Sequence, residues 1–275
     1  MATIAHLSDL HFGRVDGRLI EPLIRTIAAA APDLVAVSGD LTQRARDHQF
    51  RAARSFLDRL PFPRLVVPGN HDVPLHNVVA RFFNPYGGYR RHIDDDLEPY
   101  FESREITAVG LNSSRAFPFS GVGRLNEHQV QRASARLRSA PDGALKVVVT
   151  HHPFDLPDTH GAEHLIGRSE MAMRLLAAAG ADLFLAGHLH VSHVGQAATR
   201  YRIGGHSALV VQAGTLSTRM RGESNALNLI HTHRTRIEVE RLSWDEGAQT
   251  FAVTWRAAFE RDSNGSFALV QRGER

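Results

Sequence analysis

An α/β domain is what the sequence predicts, on three observations. From residue 4 to residue 186, apolar runs of strand length alternate with apolar residues at helical spacing. Five of those strands end in Asp, Asn or His, several of them beside a glycine. From about residue 205 onward the helical spacing stops and only strand patterns follow. No composition break, repeat or low-complexity stretch divides the chain, so residues 1–275 read as a single domain, β-rich in its last part.

The first strand is Ile4 to Leu7, ending in Ser8-Asp9-Leu10-His11. Leu19, Ile20, Leu23, Ile24 and Ile27 then mark a helix face that Pro32 stops. Leu34 to Val37 is a strand ending in Ser38-Gly39-Asp40, and Phe50, Ala53, Leu57 and Leu60 give the next helix, closed by Pro61 and Pro63. Leu65 to Val67 ends in Pro68-Gly69-Asn70-His71-Asp72. An aromatic, charged stretch from Val73 to Phe101 reads as a loop before the strand Ile106 to Leu111. Val130, Ala133 and Leu137 mark a helix; Lys146 to Thr150 is a strand ending in His151-His152-Pro153. A helix from about Ser169 to Ala179 precedes Leu183 to Ala186, which ends in Gly187-His188-Leu189-His190. Strands are expected at Ala208 to Gln212, Ala226 to His231, Ile237 to Leu242 and Phe251 to Ala257.

Composition narrows the function classes. Hydrophobic residues at 43% and charged residues at 22% supply a sizeable core and exclude disorder over most of the length. No apolar run approaches the roughly 18 to 20 residues of a membrane span, and no secretory pattern opens the chain. The absence of cysteine excludes disulfides, thiolate metal sites and cysteine nucleophiles, and a cytoplasmic protein is expected. The 32 basic residues exceed the 29 acidic ones by only three, and all but Lys146 are arginine. They are scattered among acids, without the cluster a nucleic-acid partner would need. Histidine is the outlier, with 17 residues.

Side chains at the carboxyl ends of strands in an open α/β sheet share one crevice. Carboxylates, imidazoles and an amide oxygen converging there suit borderline to hard divalent cations. Taken singly, each piece is ordinary: Asp40 reads as a turn or helix cap, His151 as a buried structural histidine. Five such pieces at the same end of five strands point to a metal centre. Gly39, Gly69 and Gly187 are expected where the strand turns sharply and backbone nears the ion.

The series Asp9-Leu10-His11, Gly39-Asp40, Gly69-Asn70-His71-Asp72, His151 with Pro153, and Gly187-His188-Leu189-His190 resembles the signature of the calcineurin-like metallophosphoesterases. Within that family the chain looks most like bacterial class III cyclic nucleotide phosphodiesterases and related glycerophosphodiesterases. The resemblance implies an αββα sandwich of two mixed β-sheets flanked by helices. It also implies two divalent metal ions from the Mn, Fe, Zn and Co group. Asp9, His11 and His190 would hold the first, Asn70, His151 and His188 the second, and Asp40 would bridge them. His71 would contact the phosphate and assist the leaving group, with Asp72 orienting its imidazole. His152 is the rival of His151; the family pattern places the ligand first in His-His-Pro. His76, His193 and Arg14 lie near these blocks without an assigned role, and the other histidines, His206 among them, read as surface or structural.

Specificity should come from two loops. One holds Phe82, Phe83, Tyr86, Tyr89, Arg90, Arg91 and Tyr100, the other Arg115, Phe117, Phe119, Gly121 and Gly123. Tyr86 and Phe117 are the candidates to stack a base, whereas Phe82 and Phe83 read at least as well as packing the first loop onto the core. Asp94-Asp95-Asp96 would repel a long polyanion. The expected function is therefore dinuclear metal-dependent hydrolysis of a small phosphodiester, cyclic nucleotides favoured, with nucleic acid disfavoured as substrate. A nuclease of the same superfamily and a non-catalytic interaction scaffold are the alternatives, and a homo-oligomer is left open.

Overall fold

The computed structural model describes residues 1–117, 121–157, 160–197, 200–201, 208–233, 235–262 and 266–274. The elements are β1 (Ala2–Leu7), α1 (Gly17–Ala30), β2 (Leu34–Val37), α2 (Asp47–Leu57), β3 (Arg64–Val66), α3 (Val78–Phe83), α4 (Gly87–His92) and β4 (Tyr100–Glu102). They continue with β5 (Ile106–Gly110), α5 (Glu127–Arg138), β6 (Leu145–Val149), α6 (Ser169–Ala178), β7 (Leu183–Ala186), β8 (His193–Gln196) and β9 (Leu209–Gln212). The last four are β10 (Ala226–His233), β11 (Arg236–Asp245), β12 (Thr250–Arg261) and β13 (Phe267–Glu274).

Two mixed sheets form, one ordered β13-β12-β11-β10-β1-β2-β3 and the other β4-β5-β6-β7-β9-β8. Strands β1, β2 and β3 are parallel neighbours, as are β5, β6, β7 and β9. The strands alternate in side-chain direction, so each sheet has two apolar faces to cover. Ile4, Leu34 and Leu65 of the first sheet meet Val147, Leu183 and Val211 of the second in the middle layer. Ala5, Val35 and Val37 face Leu19, Leu23 and Ile27 of α1 and Phe50 and Ala53 of α2. Val148, Phe184 and Val210 face Val130 and Leu137 of α5 and Met173 and Leu176 of α6. The result is the expected αββα sandwich.

Local sequence explains the helix ends. Asp16 accepts the Arg18 amide at the start of α1, and Ala31 turns left-handed (φ 42°) just before Pro32. Asn126 and Gln129 exchange side-chain and backbone hydrogen bonds to open α5. Three readings change. The stretch Val73 to Phe101 carries α3, α4 and β4, and Tyr89 within it is fully buried, its hydroxyl donating to Val66 O at 2.8 Å. Edge strands β8 and β13 extend the two sheets beyond the expected strands. Phe82 and Phe83 do not pack inward; they are 65% and 79% exposed, because Arg81 takes the inner position on α3.

Candidate metal centre

The carboxyl ends of β1, β2, β3, β6 and β7 converge at one rim of the sandwich. Their loops brace one another: Asp9 N donates to Gly39 O (3.1 Å), His11 N to Asp40 O (2.9 Å) and Gly187 N to His151 O (3.1 Å). Asp9, His11, Asp40, His188 and His190 all have positive φ, between 44° and 75°. Left-handed backbone at non-glycine residues costs roughly 1–3 kcal/mol each and persists only where packing over-determines it. Here the strain turns five side chains toward one point.

Glycine serves this crossing in two ways. Gly39 needs its positive φ of 88°. At Gly69 a Cβ would lie 2.1 Å from Asp40 Oδ1, and at Gly187 1.7 Å from Ser8 Oγ. These two glycines let neighbouring loops abut each other where the donor side chains stand.

Seven predicted side chains come together in two groups. In the first, His190 Nε2 lies 3.1 Å from both His11 Nε2 and Asp9 Oδ1, and His11 Nε2 lies 3.5 Å from the same oxygen. In the second, Asn70 Oδ1 lies 3.0 Å from His151 Nε2 and 3.1 Å from His188 Nδ1, with the two nitrogens 3.3 Å apart. Asp40 stands between, Oδ2 at 3.6 Å from His11 Nε2 and Oδ1 at 3.4 Å from His151 Nε2. Backbone carbonyls fix the rings: His190 Nδ1 donates to Arg219 O and His151 Nδ1 to Ser38 O, both at 2.8 Å. In the neutral rings this puts the lone pair on Nε2, turned to His11 and Asp9 for His190 and to Asn70 and His188 for His151; His151 sheds the proton that Asp40 favours there when it ligates.

These donors fit divalent cations. Asp9 Oδ1 is buried with no hydrogen-bond partner, although its sister Oδ2 accepts Ser8 Oγ and His188 N. Donor separations of 3.0–3.3 Å are those around an ion with metal–ligand bonds of about 2.0–2.1 Å.

Charge coupling inside the cluster is strong. Burial acts against the Asp9 and Asp40 carboxylates, yet the neighbouring histidines hold both below the ordinary range. For His151 burial is outweighed by Asp40, which raises its pKa to about 9. Burial, helped by the charge of His151, lowers His188 to about 3.

His71 lies at the open side of the centre. Its Nδ1 donates to Gln43 O at 2.9 Å, its amide to Asp40 Oδ1 at 2.8 Å, and its Nε2 faces the cleft. The expected Asp72–His71 pairing is not formed. Asp72 instead accepts the amides of Leu41 (3.1 Å), Thr42 (2.8 Å) and Gly69 (2.9 Å) and the Thr42 hydroxyl. Its buried carboxylate staples the two metal loops together, because backbone donors surround it and the imidazole points away.

His152 has both nitrogens engaged, Nδ1 with Ser113 Oγ and Nε2 donating to Gly121 O, each at 2.8 Å. Its ring stands 4.5 Å from that of His188, and one of its nitrogens lies within 4.8 Å of those of His151 and His188, so the three imidazoles form one cluster. His76 and Arg14 are exposed, and His193, on β8, pairs with Asp155 of the loop after β6. Phe119 and His206 lie outside the described residues.

Sequence reasoning missed Arg219, in the loop between β9 and β10. Its Nη1 donates to His71 Nε2 at 2.9 Å and to His11 Nε2 at 3.2 Å. No glycine or strand end marks it; only the topology brings it back to the rim.

A family model for the calcineurin-like phosphoesterases matches residues 2–192. The chain is 36% identical over 171 residues to a glycerophosphodiester phosphodiesterase of Enterobacter lignolyticus, covering 56% of this chain and 58% of that protein. It is 30% identical over 166 residues to a protein of Arcobacter nitrofigilis named "probable glycerophosphodiester phosphodiesterase", covering 58% and 57%. A "probable cyclic nucleotide phosphodiesterase" of Synechococcus is 26% identical over 162 residues, covering 55% and 58%. The matched segments thus span a little over half of each relative's length. Among solved structures, purple acid phosphatase from yellow lupin superposes with a TM-score of 0.71 at 11% identity, over 96% of this chain and 54% of that one, a likeness of fold.

Proposed function

The chain belongs to the calcineurin-like phosphoesterase family, and from that premise we propose that it hydrolyses small phosphodiesters at a pair of divalent cations. The observation that carries the proposal is Asp40, one carboxylate oxygen turned to each donor group. Asp9, His11 and His190 would hold one ion, Asn70, His151 and His188 the other, with Asp40 shared. When bound, such ions supply a hydroxide near neutral pH and offset charge on the phosphoryl oxygens.

The chain's own residues do the rest. Gln43 O holds the Nδ1–H of His71, so in the neutral ring Nε2 is the lone pair that accepts from Arg219; a proton taken up there makes the ring the cation that passes it to the departing alkoxide. Arg219, beside that nitrogen, offers a cation to a non-bridging phosphoryl oxygen. Asp72 keeps the Asn70-His71 loop in register with the Asp40 loop. Water adds to phosphorus as the P–O bond to the leaving alkoxide breaks, giving a phosphomonoester and an alcohol, the two joined in one nucleotide when the diester is cyclic.

The relatives' names point to glycerophosphodiesters and cyclic nucleotides. Within small diesters, cyclic nucleotides are the finer proposal, because Tyr86 and Phe117 line a cavity of about 560 Å³. Tyr86 is held there by its hydroxyl, which donates to Ser114 O at 2.7 Å. Asp94, Asp95 and Asp96 are exposed and do not line the cavities at the cleft. The test is a panel on metal-reconstituted protein: cyclic nucleotides, glycerophosphodiesters, phosphomonoesters and single-stranded DNA. A higher kcat/KM on a small diester than on monoester or DNA is expected. Efficient cleavage of DNA with little activity on any small diester would overturn it.

A further inference from the structure

A surface helix normally turns apolar side chains inward and charges outward. Helix α3 does the reverse. Arg81 is 5% exposed, its Nε donating to Ala116 O at 2.5 Å and its Nη1 to Pro74 O at 3.0 Å. Val79, Phe82 and Phe83 stand 69%, 65% and 79% exposed. The two rings meet edge to face with centroids 5.1 Å apart, and Phe82 meets Phe117 of the neighbouring loop at 5.8 Å. A contiguous apolar surface of this kind marks a binding face.

Its position identifies the occupant. Leu75, just before α3, is also exposed and lines the cavity of about 200 Å³ that opens on Asn70 and His71. Arg115 lines both that cavity and the adjoining one that Phe117 lines. Arg44 stands in the first, and neither cavity has a carboxylate in its wall. Among the described residues Arg44 and Arg115 form no ion pair with an acid. From the metal cleft outward, the surface therefore passes from donor cluster to guanidinium to apolar side chains.

We infer that α3 seats an apolar arm of the substrate, so that the diester is amphiphilic, with an alkyl or acyl chain beyond the phosphoryl group. This rests on the diesterase reading of the cleft and stands as an alternative to the cyclic-nucleotide preference within it, since a cyclic nucleotide carries no such chain. The polarity gradient fits such a molecule at every step: the phosphoryl oxygens reach Arg219 and the donor cluster, and the chain leaves past Leu75 onto Phe82 and Val79.

The experiment uses methyl, butyl and octyl 4-nitrophenyl phosphate below their micelle concentrations, with metal-loaded protein. KM should fall with chain length, by up to roughly fourfold for each methylene buried. The triple variant Val79→Ser, Phe82→Ser, Phe83→Ser should keep methyl-ester turnover and lose the chain-length dependence. Calorimetric binding of octylphosphonate against methylphosphonate supplies a readout that needs no turnover. Wild type should prefer the octyl compound, and the triple variant should not. No chain-length preference in either measurement overturns the inference. So does a wild-type dimer that the triple variant dissociates, with no preference for the octyl compound, since the face would then belong to a second copy. If octylphosphonate is preferred while no diester is cleaved, the diesterase reading fails and the apolar seat stands.

Discussion

Asp40 and His71 touch through a single hydrogen bond, from amide to carboxylate at 2.8 Å, yet they should fail in different ways. Asp40 has an oxygen on each donor group, so Asp40→Ala should lower the bound metal at both positions together, read by elemental analysis after desalting. His71→Ala removes no donor and should keep the metal while kcat on an unactivated diester falls by roughly 10²- to 10⁴-fold. A nitrophenyl diester should lose less, because its leaving group needs little protonation. Arg219 makes a third case, in which side chain and backbone act separately. Its carbonyl holds His190, and that contact survives substitution. Arg219→Ala should therefore retain metal but bind inorganic phosphate more weakly and lose kcat/KM. Added guanidinium ion should restore part of the rate. Loss of metal in that variant, or no change in phosphate binding, would remove Arg219 from the substrate side of the cleft.

At the scale of elements, β1, β2 and β10 bury a polar trio beneath the centre. His6 Nε2 lies 2.9 Å from Ser38 Oγ, and Asn228 Nδ2 approaches its Nδ1 at 3.5 Å. Burial, opposed in part by Asp9, lowers the His6 pKa to about 3 from the ordinary 6.5. The unfolded chain then binds the proton more readily than the folded one between those values, so stability rises with pH across that window. It is full above about 6.5 and falls on acidification, by an amount on the order of a few kcal/mol by pH 3. Denaturant midpoints measured from pH 7 down to pH 4 should drop, and His6→Gln should remove one proton's worth of that slope. An unchanged slope in His6→Gln would place the acid sensitivity in other histidines. The strand ends that carry the donors were legible because each is an apolar run broken by a chemically distinctive residue. Edge strand β4 was not, being three residues long with two of them exposed. Nor was α3, since its Arg81-in, Phe82-out arrangement inverts the pattern by which a helix is read. The pairing of Asp72 with His71 comes from the family resemblance alone, and no residue pattern reveals that the turn aims the carboxylate at backbone amides across the crossing.

Across the whole molecule, the donor groups straddle the sandwich. Asp9, His11, Asp40 and Asn70 follow strands of the seven-stranded sheet, and His151, His188 and His190 follow strands of the six-stranded one. Each proposed ion therefore takes ligands from both sheets, which otherwise meet through the non-directional apolar contacts of the middle layer. A cation at either position would tie the sheets together at the rim. Binding to the folded chain alone stabilises it by about 2.7 kcal/mol at a free concentration one hundred times Kd. For a chain of this size that corresponds to a rise in Tm of roughly 5–10 °C for one ion. Calorimetry should show the chelated protein melting lower and Mn²⁺ or Zn²⁺ restoring the higher Tm. The transition should stay single, because both sheets lose the same tie. Asp40→Ala, with its shared donor gone, should melt at a temperature that responds little to either metal. A wild-type Tm indifferent to chelator and metal alike would mean that the two groups of donors do not bind ions across the sheets, and the dinuclear proposal would fall with it.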